Sequence, residues 1–132
     1  MISIGNHTEV SFDVAFITHD GATWCFRDQD EYKGTLKFGR IRIGNNCFIG
    51  ARSTILPGVT IGDNSIVAAG AVVNRSIPSG EVWGGVPAHY IMKTKDYADK
   101  CKENTPIYDL ENYRKNFREE VNLICDRMEH SM

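Results

Sequence analysis

The chain has 132 residues, with 15 Lys+Arg against 17 Asp+Glu and a formal charge of −2. That length holds one domain with at most a terminal appendage, and 42% hydrophobic with 24% charged residues excludes a disordered polyelectrolyte. Excluded too are a general nucleic-acid binder, which needs a cationic excess or basic stripe, and a membrane span, which needs roughly 18 consecutive apolar residues.

At the N-terminus, Ser3, Gly5, Asn6, His7 and Glu9 interrupt any apolar core. No signal peptide is read there, and a cytoplasmic protein is expected. Ile4, Val10 and Phe16 set a beat of six, with Thr8 and Val14 two places ahead of the latter pair. The beat stops between Asp20 and Arg40, and Ile43 resumes it 27 residues after Phe16, which is not a multiple of six. Residues 20–40 are therefore an excursion loop, and a loop this long is expected to wall or cover a site.

From Ile43 an aliphatic residue recurs at every sixth position: Ile49, Ile55, Ile61, Val67 and Val73. Cys47, Ser53, Val59, Ser65 and Ala71 stand two places ahead of these. A period of six fits neither an amphipathic helix nor a half-buried hairpin. It fits short parallel strands in a solenoid, where three hexads complete a triangular coil and stack Ile43 on Ile61, Ile49 on Val67 and Ile55 on Val73. Coil-on-coil stacking then buries what one coil cannot. Glycines with Asn45, Asn46, Asp63 and Asn64 suit the corners.

The repeat fails after Ser79, and VWGGVPA (82–88) reads as turn-rich. Residues 93–104 read as a short helix ended before Pro106. Asp109 is an N-cap for a further helix with Tyr113, Phe117, Val121, Ile124, Cys125 and Met128 on one face. This tail is expected to cap the open end of the solenoid or to make a subunit contact. Cys25, Cys47, Cys101 and Cys125 form no CxxC and read as free thiols, with Cys47 in the core. There is no GxSxG elbow, no GxxxxGK[ST] loop and no GxGxxG. The histidines, His7, His19, His89 and His130, offer no closely spaced pair; no metal site is expected.

The hexads look like those of the left-handed parallel β-helix, and residues 2–91 as a whole resemble the hexapeptide-repeat acyltransferases, the maltose, galactoside and polysaccharide O-acetyltransferases among them. The resemblance implies an all-β solenoid with left-handed winding, against the usual crossover preference, over a domain 1–91 with a helical extension 92–132. It implies acetyl-CoA as cosubstrate and a homotrimer with active sites at the subunit interfaces. In FITHDG (16–21), His19 corresponds to the catalytic base of the family's sugar O-acetyltransferases, and a neutral imidazole can take a hydroxyl proton near neutral pH. The runs IGAR (49–52), PGVTIGDNSIVAAGAVV (57–73) and VPA (86–88) resemble the family's donor-binding coils. They assign donor contacts to Ala51, Ala69 and the pair Asn74-Arg75, where relatives commonly carry Thr-Lys. After VPA the family usually has Lys or Arg; here His89 takes that donor-side position, with Lys93 and Lys95 nearby. Trp24, Phe26 and Tyr32 could stack on a sugar ring or lie buried under the loop.

The expected activity is acetyl transfer from acetyl-CoA to a hydroxyl of a saccharide or related small-molecule acceptor, by direct attack in a ternary complex without an acyl-enzyme. N-acetylation of an amino sugar or antibiotic is the alternative within the enzymes. A non-catalytic β-helix scaffold is the alternative outside them.

Overall fold

The computed structural model describes residues 1–130. The chain divides into two compact units, Met1–Lys95 and Asp96–Met132.

The first unit begins with nine strands of two or three residues. They are β1 (Ile2–Ile4), β2 (Glu9–Val10), β3 (Ala15–Phe16), β4 (Ile41–Ile43), β5 (Phe48–Ile49), β6 (Thr54–Ile55), β7 (Thr60–Ile61), β8 (Ile66–Val67) and β9 (Val72–Val73). Two longer strands follow, β10 (Glu81–Gly84) and β11 (His89–Lys93). Consecutive short strands fall in different sheets: β1-β4-β7 form one, β2-β5-β8 continue into β10 and β11 in the second, and β3-β6-β9 form the third. All pairs are parallel except β10 with β11. The pairings Ile43↔Ile61, Ile49↔Val67 and Ile55↔Val73 are the three stacks expected from the period of six.

Burial explains the pattern. In each strand from β5 to β9 the second residue is buried and the first is not. Ile43, Ile49, Ile55, Ile61, Val67 and Val73 form the core with Cys47, Val59 and Ala71, while Ser53 and Ser65 are the buried polar members of the smaller column. Burial without a partner would make those hydroxyls costly. Ser53 Oγ donates to Ala68 O at 3.1 Å, and Ser65 Oγ to Pro78 O at 3.0 Å. Cys47 sits as expected, its thiol donating to Gly62 O at 3.1 Å.

The corners have their own period. Asn46, Arg52, Gly58, Asn64 and Gly70, six residues apart, all have positive φ. Asparagine and glycine tolerate this backbone readily; Arg52, at φ 59°, does so despite its long side chain. Polar side chains run up one corner as a ladder, with Asn45 Oδ1 accepting from Asn6 N and Asp63 Oδ1 from Asn45 N, both at 2.7 Å. Elsewhere the coils touch backbone to backbone. A Cβ on Gly50 would stand 2.5 Å from Ala69 N and 2.7 Å from Ala68 C, atoms that cannot swing aside. Gly50→Ala should therefore destabilise by about 1–3 kcal/mol in urea unfolding, whereas Gly21→Ala, in open space, should change stability by less than about 0.5 kcal/mol.

The excursion leaves the stack undisturbed. β1 pairs with β4 at an offset of 39 residues, Ile4↔Ile43, against 18 for Ile43↔Ile61, so the loop inserts 21 residues and returns in register. Its base is tied by Asp20 N donating to Lys37 O and Gly39 N to Thr18 O, both at 2.9 Å. Within it the chain forms two 3-10 turns, Gly21–Cys25 and Asp30–Tyr32.

Beyond Ser79 the structure corrects the expectation that the repeat fails, and the frame has already shifted at Ile77. Ile77 pairs with Ile61, and Trp83 with Val67, each at an offset of 16. The coil continues with two residues fewer, which shifts the frame and hides the beat. VWGGVPA is correspondingly half strand: β10 lies in the second sheet, and Gly85–Ala88 turns back beside β9, with Val72 N donating to Gly85 O and Ala88 N to Val72 O. β11, absent from the sequence reading, closes an antiparallel hairpin on β10.

The helices are α1 (Thr94–Asn104), α2 (Leu110–Lys115) and α3 (Phe117–His130). Asp109 caps α2 as expected, accepting from Asn112 N at 3.0 Å. The single helix expected after it is broken at Asn116, whose φ of −129° and ψ of 60° leave the helical region. Its side chain donates to Asn112 Oδ1 at 3.0 Å, the local bonding by which asparagine competes with helix continuation. Glu120 is buried and accepts from Asp109 N at 3.0 Å and Asn112 Nδ2 at 2.9 Å. The Asn112 amide, then the Asp109 N–H, hold its carboxyl below the usual range. A lowered folded-state pKa contributes stability above the unfolded value that is lost as pH falls through the folded one. Thermal melts should therefore show the wild type losing its advantage over Glu120→Gln as pH drops from about 5.5 to about 3.

Candidate functional site

His19 follows β3 at the point where the chain leaves the third sheet for the excursion, and its ring is exposed. The return strand of the loop supplies Phe38, which pairs with His19 as an antiparallel bridge and stacks on it with centroids 5.8 Å apart and planes 27° inclined. Among the described residues neither ring nitrogen of His19 is hydrogen-bonded. The imidazole is oriented by stacking and keeps both nitrogens available for proton transfer.

Asp20 is fixed beside it. Its Oδ1 accepts from Ala22 N at 2.8 Å, capping the first 3-10 turn, and its Oδ2 lies 3.4 Å from Lys37 Nζ. The Ala22 N–H foremost, then Lys37 and His19, hold its carboxyl below the ordinary range. A carboxylate held in its charged form thus stands on the residue next to the imidazole. His19, Asp20 and Lys37 share a recess of about 570 Å³ with Ile17, Leu56, Pro57 and Asn74. Ile17, Leu56 and Asn74 are one corner column, tied by Ile17 N donating to Ile55 O and Leu56 N to Val73 O.

The structure sorts the other sequence-derived residues into separate places. Asn74 joins His19 in the recess. Ala51 and Ala69 are stacked at the opposite end of the third-sheet strands, before β6 and β9, where Gly70 N donates to Ala51 O at 2.8 Å. Arg75 and His89 meet: Arg75 Nη2 lies 3.2 Å from His89 Nδ1, and the guanidinium carbon lies 5.0 Å over the Trp83 ring. In the excursion Trp24 is 70% exposed, with Arg27 over its ring at 5.1 Å, while Phe26 packs edge-on against Tyr32 at 5.4 Å. Trp24 and Tyr32 are thus exposed, and Phe26 is half-buried. His7 is bound up in a corner ladder, its Nδ1 2.7 Å from Asn46 Oδ1.

Sequence reasoning missed Lys37, Phe38 and Trp83. The first two were findable, because an excursion that rejoins its coil must bring its last residues back beside its first. Trp83 carried no such mark. Among the described residues no group of three or more His, Cys, Asp or Glu side chains could hold a metal ion, and no helix is long and apolar enough to cross a membrane.

Residues 40–75 match the hexapeptide repeat of succinyl-transferase. Protein CapG of Staphylococcus aureus is 45% identical over 113 residues, 86% of this chain and 64% of that protein. Galactoside O-acetyltransferase of Escherichia coli (strain K12) is 50% identical over 56 residues, 42% of this chain and 28% of that protein. The solved structure of a galactoside acetyltransferase in complex with coenzyme A superposes with a TM-score of 0.63 at 33% identity, covering 74% of this chain and 48% of that one. The chain thus spans less than two thirds of the length of each of these relatives.

Proposed function

We propose that this chain, whose residues 40–75 match the hexapeptide repeat and which is similar to acetyltransferases that carry it, transfers an acetyl group from acetyl-CoA to a hydroxyl of a saccharide or similar acceptor. The three sheets are then the faces of a left-handed parallel β-helix. The observation that carries the reading is the recess that holds His19 between Asp20, Lys37 and Asn74 at the mouth of the excursion.

In this mechanism His19 accepts the proton of the acceptor hydroxyl as its oxygen adds to the thioester carbonyl carbon. The ionised Asp20 carboxylate steadies the imidazolium. The C–O bond forms, the C–S bond breaks, and the departing thiolate takes the proton back from His19 to leave as coenzyme A. Backbone amides at the corner would hold the oxyanion. No cysteine is needed as nucleophile.

Ala51 and Ala69, with small side chains on a stacked corner, would floor a groove for the pantetheine arm, and Arg75 would meet a phosphate. One chain holds Ala51 and Ala69 away from His19, at the other end of the third-sheet strands, whereas Arg75 directly follows the recess residue Asn74. A homotrimer with sites shared between neighbouring copies would reunite them, and a catalytically active monomer in sedimentation would rule that arrangement out. Release of coenzyme A, measured against hydroxyl and amine acceptors in parallel, tests the reaction itself. Turnover with amines alone would make the protein an N-acetyltransferase, and failure to bind coenzyme A by calorimetry would leave only a scaffold.

A further inference from the structure

Arg75 is not presented as a free surface cation. Its guanidinium lies over Trp83, which is 8% exposed and therefore fixed in place by packing. Its Nη2 lies 3.2 Å from His89 Nδ1. A guanidinium has five donors, no acceptor, and stays protonated. The shared hydrogen can therefore only be donated by Arg75 and accepted by His89, which requires His89 to be neutral with its proton on Nε2. The two contacts reach Arg75 from different elements, the ring from β10 and the imidazole from the first residue of β11. Together they hold the fork at two points of an otherwise exposed side chain.

We infer that His89 and Trp83 are positioning residues that aim Arg75 at a phosphate group of the donor, His89 acting as acceptor to Arg75 rather than as a phosphate ligand. The inference rests on the donor reading above and revises it at His89. A cation at this position would repel Arg75; a neutral imidazole does not, and offers it an acceptor. Planar, bidentate recognition of phosphate depends on the orientation of the fork as well as on its charge, so removing the acceptor should weaken binding even though no charge is lost.

The test compares wild type, Arg75→Ala, His89→Ala, His89→Asn and the Arg75/His89 double variant in calorimetric titrations with coenzyme A and 3′-dephospho-coenzyme A. It adds kcat and KM for acetyl-CoA. Arg75→Ala should weaken coenzyme A about ten- to a hundredfold and His89→Ala about three- to tenfold, in KM with kcat nearly unchanged. Asparagine, whose Oδ1 can accept in place of Nδ1, should restore most of the loss. The double variant should bind no worse than Arg75→Ala, as residues acting through one another are not additive. Variants that keep discriminating dephospho-coenzyme A as the wild type does would place the contact on the pyrophosphate; loss of that discrimination places it on the 3′-phosphate. Nitrogen NMR should show His89 protonated on Nε2 in the wild type and mixed in Arg75→Ala. Additive losses, or no rescue by asparagine, would make His89 an independent ligand and overturn the inference. Equal coenzyme A binding by wild type and Arg75→Ala also overturns it, while wild type that binds none overturns the donor reading first.

Discussion

His19→Ala should lower kcat for acetyl transfer about 10²–10⁴-fold while leaving the affinity for coenzyme A within about twofold. That is the range by which a positioned general base accelerates proton transfer. The second half of the expectation follows from the structure, since His19 shares its recess with Asn74 but not with Ala51, Ala69 or Arg75. Asp20→Asn should cost less, because it keeps a carbonyl oxygen able to accept from Ala22 N and removes only the charge beside the imidazole and its ion pair with Lys37. The measurement is initial-rate kinetics at saturating donor, with calorimetry for binding. Near-wild-type turnover by His19→Ala would end the assignment of the base.

Ile49→Ala should destabilise the first unit by about 2–5 kcal/mol in urea unfolding, the range for deleting a fully enclosed aliphatic side chain. Ile49 is completely buried and stacks between Val10 and Val67 in the second sheet. With coils above and below, the cavity has no surface from which to collapse. Ile4 occupies the same kind of position in the first coil but is 45% exposed. Ile4→Ala should therefore cost less than about 1.5 kcal/mol, since half of its surface is already in water. Equal losses at the two positions would mean that the coils do not share one core.

The contrast between Ile49 and Ile4 also shows what the sequence made legible. A strict period with one residue type in each phase names the buried columns directly, and Cys47, Ser53, Val59, Ser65 and Ala71 were readable because nothing larger fits where the chain turns. What stayed hidden depends on partners far along the chain. Ile77 and Trp83 keep their columns after a two-residue shortening that breaks the frame. β11 exists because β10 offers it an edge, and its own exposed residues show no alternation. Asn116 sits in a helical pattern and leaves it through contacts with Asn112. In the site, FITHDG marked His19, but the stacking of Phe38 and the placement of Arg75 by Trp83 and His89 come from three-dimensional closure of a loop and a hairpin.

The 21-residue insertion that rejoins its coil in phase makes this segment an interchangeable cassette. Because lengthening a closed loop adds little entropic penalty and both of its ends are pinned by the same two backbone bonds, substitutions and length changes beyond Asp20 need not propagate into the column of isoleucines. Under the proposed function, acceptor selectivity would then diverge through the outer part of the loop, residues 21–36, while Lys37 and Phe38 keep their places beside Asp20 and His19.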